Sequence, residues 1–279
     1  MPTKAKDFLE LRNALYQRGE RLWTWSVAAN AAALVAVLVS LMVAPDGCVG
    51  VVAAATAMAC PALAVVLREL AAIPTDRADA IRQLILLSDS LGRPIPAADQ
   101  AKVRRWVPHA ELGPAPYVAP YYASTLPAGA SRLADNLAET AYFTEHLAEK
   151  VATGFAIAAA LALAMLVAAV YVAASTPSAT AVLPILTKGA VTVIVFFIFG
   201  DCSVLAWRFL RLKLAAGEAF KGSCELRRDA GADLSQALPL FQNYESARVQ
   251  APPIPGWLHR RYMDELNADY RQSHSATGV

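Results

Sequence analysis

The chain has 279 residues, of which 56% are hydrophobic and 17% charged, and its mean hydropathy is +0.38. These values argue against an ordinary soluble domain and are typical of a polytopic membrane protein. The formal net charge of +2 balances 25 basic against 23 acidic residues, so charge alone predicts no DNA or RNA polymer as partner.

Two charge-free stretches near the N-terminus predict a first membrane hairpin, Leu22–Pro45 and Gly47–Leu67, with a tight turn at Pro45–Gly47. About 20 apolar residues span the hydrocarbon core of a bilayer. The preceding Thr3–Trp23 segment has an amphipathic helical pattern and is expected to enter the first span without a break. A charged start followed by a full-length span is unlike a cleavable signal peptide.

A second hairpin is predicted from Val151–Thr187, which is 37 residues long and has no charged side chain, and from the apolar run that follows Lys188. Its two spans are placed at Val151–Ala174 and Pro184–Trp207, joined by a polar turn at Ser175–Thr180. Helical composition continues beyond the spans, over Ala130–Lys150 and Arg208–Arg228.

Basic residues predict the orientation of these spans. Five basic residues lie in residues 1–21, nine in 68–150 and ten in 208–279. The two outer turns hold no basic residue except Lys188, which lies just inside the second turn. Since cytoplasmic segments retain Lys and Arg, both termini are expected in the cytoplasm. The predicted fold is an all-α integral membrane protein, with two transmembrane hairpins (22–67 and 151–207) and a helical cytoplasmic cap (1–21, 68–150 and 208–279).

Polar and small residues within the spans are candidates for gating and packing. Asn30 and Asp201 are polar groups inside the predicted spans, where such groups pair with neighbours or serve function. Asp201 is close enough to the membrane edge to reach water or a neighbouring Arg. Gly154, Ala158 and Ala162 recur every four residues, a spacing typical of close helix packing within or between subunits.

The cytoplasmic segments carry basic residues interleaved with aromatic ones. Residues 97–127 are expected to form a long loop, and Pro255 is expected to start a last helix. Guanidinium groups suit phosphates and flat rings suit nucleobases, although aromatic residues in a stiff connector could also anchor at the membrane interface. The candidate ligand-binding residues are Arg104, Arg105, Trp106, Tyr121, Tyr122, Trp257, Arg260 and Arg261.

Residues with catalytic or metal-binding chemistry are scattered. Cys48, Cys60, Cys202 and Cys224 lack metal-ligand spacing, and the four histidines form no recognisable catalytic arrangement. We therefore expect no enzyme activity, no metal and no cofactor.

Two short motifs give the chain a resemblance to a known family. Arg105–Pro108 (RWVP) lies in the central cytoplasmic segment, and Ile254–Trp257 (IPGW) precedes Arg260–Tyr262 (RRY) near the C-terminus. With four spans around them, these motifs resemble those of the SMODS-associated four-transmembrane effectors of bacterial CBASS, which is cyclic-oligonucleotide antiphage signalling. Thr140–Glu145 departs from that family in having no Trp or Arg.

The resemblance implies a receptor that binds a cyclic di- or oligonucleotide on its cytoplasmic face, forms homo-oligomers and permeabilises or disrupts the inner membrane. The infected cell would then die or stop growing. The alternative from the residues themselves is a non-conducting membrane scaffold whose cap binds a protein partner, since the apolar stripes of Asp76–Leu91 and Leu234–Arg248 would suit such a surface equally well. A small transporter or an enzyme fits less well.

Overall fold

The computed structural model describes residues 3–42, 48–106, 122, 124–175, 182–229 and 232–276. Within these ranges all regular structure is helical, in agreement with the predicted all-α class. The seven helices are α1 (Thr3–Met42), α2 (Cys48–Leu91), α3 (Ala97–Arg104), α4 (Ala130–Ser175), α5 (Val182–Arg228), α6 (Leu234–Gln250) and α7 (Gly256–Ala276).

Four of these helices are long, between 40 and 47 residues. The predicted continuity of the amphipathic N-terminal segment with the first apolar stretch is confirmed in α1, and the expected extensions of the later apolar runs are confirmed in α4 and α5. The predicted turn at Pro45–Gly47 lies outside the described residues, as does that at Ser175–Thr180 except for Ser175.

Two local expectations differ from the structure. Gly47–Leu67 and Asp76–Leu91 were expected as separate helices, but α2 runs without a break from Cys48 to Leu91 and includes Pro61 and Pro74. A proline removes one backbone hydrogen bond, and the remaining bonds of a long helix tolerate that loss. α2 then ends in a Schellman motif, in which Gly92 has a φ of 63° and Arg93 N–H donates to the Ser88 carbonyl at 3.2 Å.

The second difference concerns residues 97–127, which were expected to be entirely loop. Their first eight residues form α3, which follows Pro96 in an extended conformation. Val103 of this helix is buried in the hydrophobic core, with 1% of its surface exposed. This burial stabilises a helix that is too short to persist alone. The composition of residues 97–127 predicted a loop because prolines are frequent in the part that follows α3.

The chain divides into two compact units. The polar unit comprises residues 1–20, 72–151 and 208–279, and the apolar unit comprises 21–71 and 152–207. Each of the four long helices contributes one part to each unit.

The polar unit has one extensive core to which six helices, α1 to α6, and Tyr122 contribute. Its fully buried side chains include Phe8 of α1, Ile81 and Leu86 of α2, and Leu133 of α4. α6 adds Phe241 and Tyr244 and begins with a capping box between Asp233 and Gln236. The apolar stripes of Asp76–Leu91 and Leu234–Arg248 thus contribute to the same internal core.

The apolar unit buries small residues and exposes large ones. Among its described residues, one buried cluster consists of Ala33, Ala36, Val37 and Ala57, whereas Val52 is 64% exposed and Leu161 61% exposed. Two of the described helical stretches, α2 and the Ala130–Ala164 part of α4, are long and apolar enough to cross a membrane, and only 17% and 28% of their most apolar windows are buried. A core helix of a soluble protein would bury most of this surface.

Candidate functional site

The end of α3 brings several cations around one aromatic ring. Arg104 is the last residue of α3, and Arg105 continues the turn by donating its N–H to the Lys102 carbonyl at 3.2 Å. Both arginine side chains are exposed. Trp106 N–H donates to the Val103 carbonyl at 3.0 Å, so the buried Val103 fixes where the indole is placed.

The Trp106 ring is half-buried against the core and lies beneath two further cations. The Arg77 guanidinium is 5.8 Å from the ring centroid and the Lys102 ammonium is 5.5 Å from it. We call Arg77, Lys102, Arg104, Arg105 and Trp106 the α3 group. Arg77 was not predicted as a site residue, because it comes from α2 and only packing brings it to the indole.

The two tyrosines assigned to the site have different outcomes. Tyr122 is 5% exposed and belongs to the core of the polar unit, so its ring supports the α3 region from inside. A nucleobase could stack on this ring only if the surrounding core opened. Tyr121 lies outside the described residues.

The three remaining candidates lie on the first turns of α7, and we call Trp257, Arg260 and Arg261 the α7 group. Trp257 is 57% exposed, and both arginine side chains are exposed. The turn is held in place because Gly256 N–H donates to Glu20 Oε1 at 2.7 Å. Tyr262 also lies 5.5 Å from the Lys150 ammonium and 5.9 Å from the Arg261 guanidinium.

A buried ion network that sequence patterns did not reveal joins α1, α2 and α6. Arg82 is 2% exposed and donates to Glu245, and Asp79 accepts hydrogen bonds from Tyr16 and from Arg248, the latter at 2.9 Å. Gln83 donates to the same Glu245 at 2.8 Å. The sequence signal that could have indicated this network is the position of two charged residues, Asp79 and Arg82, beside the apolar positions of α2.

Charge compensation makes this network a structural feature. Burial alone would raise the pKa of Asp79, but Arg248, Arg82 and the Tyr16 hydroxyl together hold that pKa below its usual range. Burial, followed by the Asp79 charge, raises the pKa of Tyr16 and keeps it a hydrogen-bond donor. Because both arginines are matched by carboxylates, the network presents no uncompensated cation to an anionic ligand.

The two polar residues predicted within the spans lie together in the apolar unit. Asn30 Nδ2 donates to Asp201 Oδ2 at 3.0 Å, and the Arg68 guanidinium forms a bidentate contact with both Asp201 oxygens. Asp201 was expected to reach water or a neighbouring Arg, and the structure identifies this residue as Arg68, at the end of the second apolar run. The cluster connects α1, α2 and α5.

The predicted small-residue face of α4 is only partly used within the chain. Ala162 is 2% exposed, whereas Gly154 is exposed and a Cβ atom added there would meet nothing within 4 Å. Ala158 is half-buried. A role of this face in contacts between subunits stays a prediction.

Neither metal-ligand clusters nor comparisons with known proteins assign a further functional site. No cluster of His, Cys, Asp or Glu suited to a metal ion occurs among the described residues. No family model, curated protein or solved structure matches this chain in the comparisons with known proteins.

Proposed function

We propose that the chain is a four-span membrane effector that is activated by a cyclic di- or oligonucleotide and then, as a homo-oligomer, permeabilises the bacterial inner membrane. The observation that carries this proposal is the α3 group, in which two exposed arginines adjoin an indole ring flanked by two more cations. A cyclic nucleotide offers the complementary chemistry, because its phosphodiesters are anionic and its bases are flat.

The arrangement suggests how a ligand would bind. A base stacking on Trp106 would displace Arg77 or Lys102 from the ring, and a phosphate of the same ligand would engage the displaced cation together with Arg104 and Arg105. The base would thus replace the cation as the partner of the indole ring, and the phosphate would replace the ring as the partner of the cation. Binding must favour one arrangement of the α3 region over another, or the ligand would change nothing.

The membrane part of the proposal depends on the exposed apolar side chains. Val52 and Leu161, on the two candidate spans, each expose more than half of their surface. The charge-free stretch Leu22–Pro45, which begins in α1, and the apolar stretch Pro184–Trp207 in α5 support two further spans of similar length. With four spans, the segments that hold most basic residues would share the cytoplasmic side.

Continuity of the long helices supports a link between ligand and membrane. Arg77 of the α3 group is on α2, which also contains the second apolar stretch. A ligand that pulls on Arg77 therefore acts on a helix that belongs to both units. Four helices are too few to enclose a wide pore in one subunit, so permeation would require several copies, with the open Gly154 face available for contact.

The scaffold alternative lost the feature that had favoured it. Asp76–Leu91 and Leu234–Arg248 bury Ile81, Leu86, Phe241 and Tyr244 inside the chain's own core. Their apolar stripes are therefore accounted for without a protein partner.

Dye release from liposomes would test the proposed function. The full chain would be reconstituted with checked orientation, and a panel of cyclic di- and trinucleotides would be added outside. We expect one nucleotide to cause release, and the Arg104→Ala/Arg105→Ala variant to lose this response because it lacks the phosphate contacts.

The matched control is Arg228→Ala/Arg271→Ala, which removes two exposed arginines of the polar unit from outside the α3 group. It should release dye like the wild type. Full release by the Arg104/Arg105 variant would remove the α3 group from the ligand site, and no release with any nucleotide would contradict the proposed activity.

A further inference from the structure

We propose that the first turn of α7 docks on the headgroups of anionic phospholipids. This inference goes beyond the nucleotide response and assigns the α7 group a different ligand. It rests on the membrane part of the proposed function alone.

The first observation is the two-sided character of α7. Leu258, Leu266 and Tyr270 are buried at four- and eight-residue spacing, and Tyr262 between them is half-buried. Trp257, Arg260 and Arg261 follow one another at i, i+3 and i+4, so they share the opposite face. All three are exposed on this face. An exposed indole beside two guanidinium groups is suited to the headgroup region of a bilayer, where aromatic rings and basic side chains are both favoured.

The second observation is where this turn is held. Gly256 is bound to Glu20, which directly precedes Arg21 and the charge-free stretch that begins at Leu22. Tyr262 contacts Lys150, which directly precedes the charge-free stretch that begins at Val151. The start of α7 is therefore attached to two helices within two residues of the start of their apolar runs. If those runs cross the bilayer, these residues lie at its surface.

The lead-in to α7 keeps the turn in this place. Pro255 is buried, and its carbonyl accepts hydrogen bonds from Leu258 N–H at 3.0 Å and His259 N–H at 3.3 Å. Three prolines within residues 252–255 restrict the backbone further. The exposed face is thus preformed and needs no ordering on contact with lipid.

The third observation is the distribution of charge along α7. The first turns carry Arg260 and Arg261, whereas the next turns expose Asp264, Glu265 and Asp269. An anionic surface attracts the first group and repels the second. This polarity selects the Trp257 end for contact with negatively charged lipids.

The fourth observation comes from α1 and α5, where aromatic and basic residues occur at the same boundary. Trp25, 67% exposed, follows Arg21 by one turn, and Trp207, 59% exposed, directly precedes Arg208. Such pairs are typical of the interface between hydrocarbon and headgroups. Trp257 with its two arginines repeats the same composition on a helix that has no apolar span of its own.

Fluorescence quenching by brominated lipids would test this inference. The full chain would be placed in nanodiscs containing brominated phosphatidylglycerol or brominated phosphatidylcholine, and the signal of Trp257 would be taken as wild type minus Trp257→Phe. We expect quenching of Trp257 that is stronger with the anionic lipid. Arg260→Ala/Arg261→Ala should reduce the relative association constant for anionic over zwitterionic lipid about tenfold, whereas Arg271→Ala on the same helix should leave it unchanged.

Two further measurements separate this inference from the proposed function. Quenching of Trp25 and Trp207, obtained with Trp25→Phe and Trp207→Phe, reports membrane insertion itself. If these residues are quenched and Trp257 is not, the α7 inference is wrong and the membrane assignment stands. If none of the three is quenched, both fail.

Two other results would overturn parts of this inference. Equal quenching of Trp257 by both lipids would overturn the preference for anionic headgroups. A cyclic nucleotide or inorganic phosphate that changes Trp257 fluorescence in zwitterionic nanodiscs, where anionic lipid has no added effect, would return the α7 group to the nucleotide site. Dye release is not used in this experiment, so its result does not depend on the nucleotide response.

Discussion

Asp79 shows how much a single buried charge can influence this protein. Its carboxylate lies between Arg248 and Tyr16 in the polar unit and is also 3.3 Å from Nε of Arg82. The part-buried Arg248 depends on it for compensation, and the buried Arg82 shares it with Glu245. Because the loss of one partner leaves the others charged and desolvated, a buried ion pair is costly to break even where its net contribution to stability is small.

Asp79→Asn should therefore lower the free energy of unfolding of the polar unit by about 3–5 kcal/mol at neutral pH. Since the folded pKa of Asp79 is depressed, its stabilising effect is present above the unfolded carboxyl pKa of about 3.9 and is lost as pH falls through the lower folded value. The difference in melting temperature between wild type and variant should be largest near pH 7 and should narrow below about pH 4.

Thermal melts in detergent across this pH range would measure the effect. Asp264→Asn, at an exposed position of α7, is the control and should melt like the wild type. A gap between wild type and Asp79→Asn that does not change with pH would contradict the role assigned to this carboxylate.

At the scale of helices, the Arg68–Asp201–Asn30 cluster joins three of the long elements. α1, α2 and α5 each contribute one side chain, and small residues such as Ala33 and Ala57 fill the space beside them. Alanine packing supplies close contact but little directional information. The polar cluster fixes how these helices are rotated and shifted relative to one another, because its hydrogen bonds are satisfied in one register.

A double-mutant cycle on Arg68 and Asp201 would test this role. Arg68→Met and Asp201→Leu should each destabilise the apolar unit by about 3–5 kcal/mol, since each leaves one unpaired charge. The double variant, with both charges removed, should be more stable than either single variant. Thermal stability in detergent is the readout, and additive losses would show that the two residues do not act as a pair.

The same variants also address the gating role predicted for Asn30 and Asp201. Reconstituted in liposomes, a single variant that releases dye without nucleotide would support that role. Unchanged retention of dye would limit the cluster to holding the helices together.

For the whole molecule, the decisive property is the number of spans. α2 and α4 qualify by length and exposed apolar surface, and the four-span proposal adds α1 and α5. The two schemes differ at both ends of the chain, and α1 serves as the example. If α1 crosses the membrane, the N-terminus and the 43–47 segment lie on opposite sides, and if it does not, they lie on the same side.

Reporter fusions would measure this difference. We expect a fluorescent protein at the N-terminus or the C-terminus to fluoresce, and a periplasmic phosphatase inserted within 43–47 or 176–181 to be active, because positive charge keeps the remaining segments in the cytoplasm. A phosphatase inserted after Gly92 serves as the inactive control. Activity of an N-terminal phosphatase fusion would contradict four spans with both termini cytoplasmic.

Local sequence signals determined much of the architecture. The apolar stretches indicated the membrane-like parts of the four long helices, and Pro255 indicated the start of α7, because apolar length and proline geometry act on neighbouring residues. The basic and aromatic candidates were also visible as composition.

Only the tertiary structure decided which of these residues meet. Arg68 and Asp201 are 133 residues apart, and Arg82 and Glu245 are 163 apart, so their pairing depends on how separate helices pack. The same holds for Arg77 beside Trp106, for Tyr122 inside the core and for the short α3 helix that Val103 anchors. A periodic pattern defines the faces of one helix, whereas the partner of each face is set by burial and charge compensation across the whole molecule.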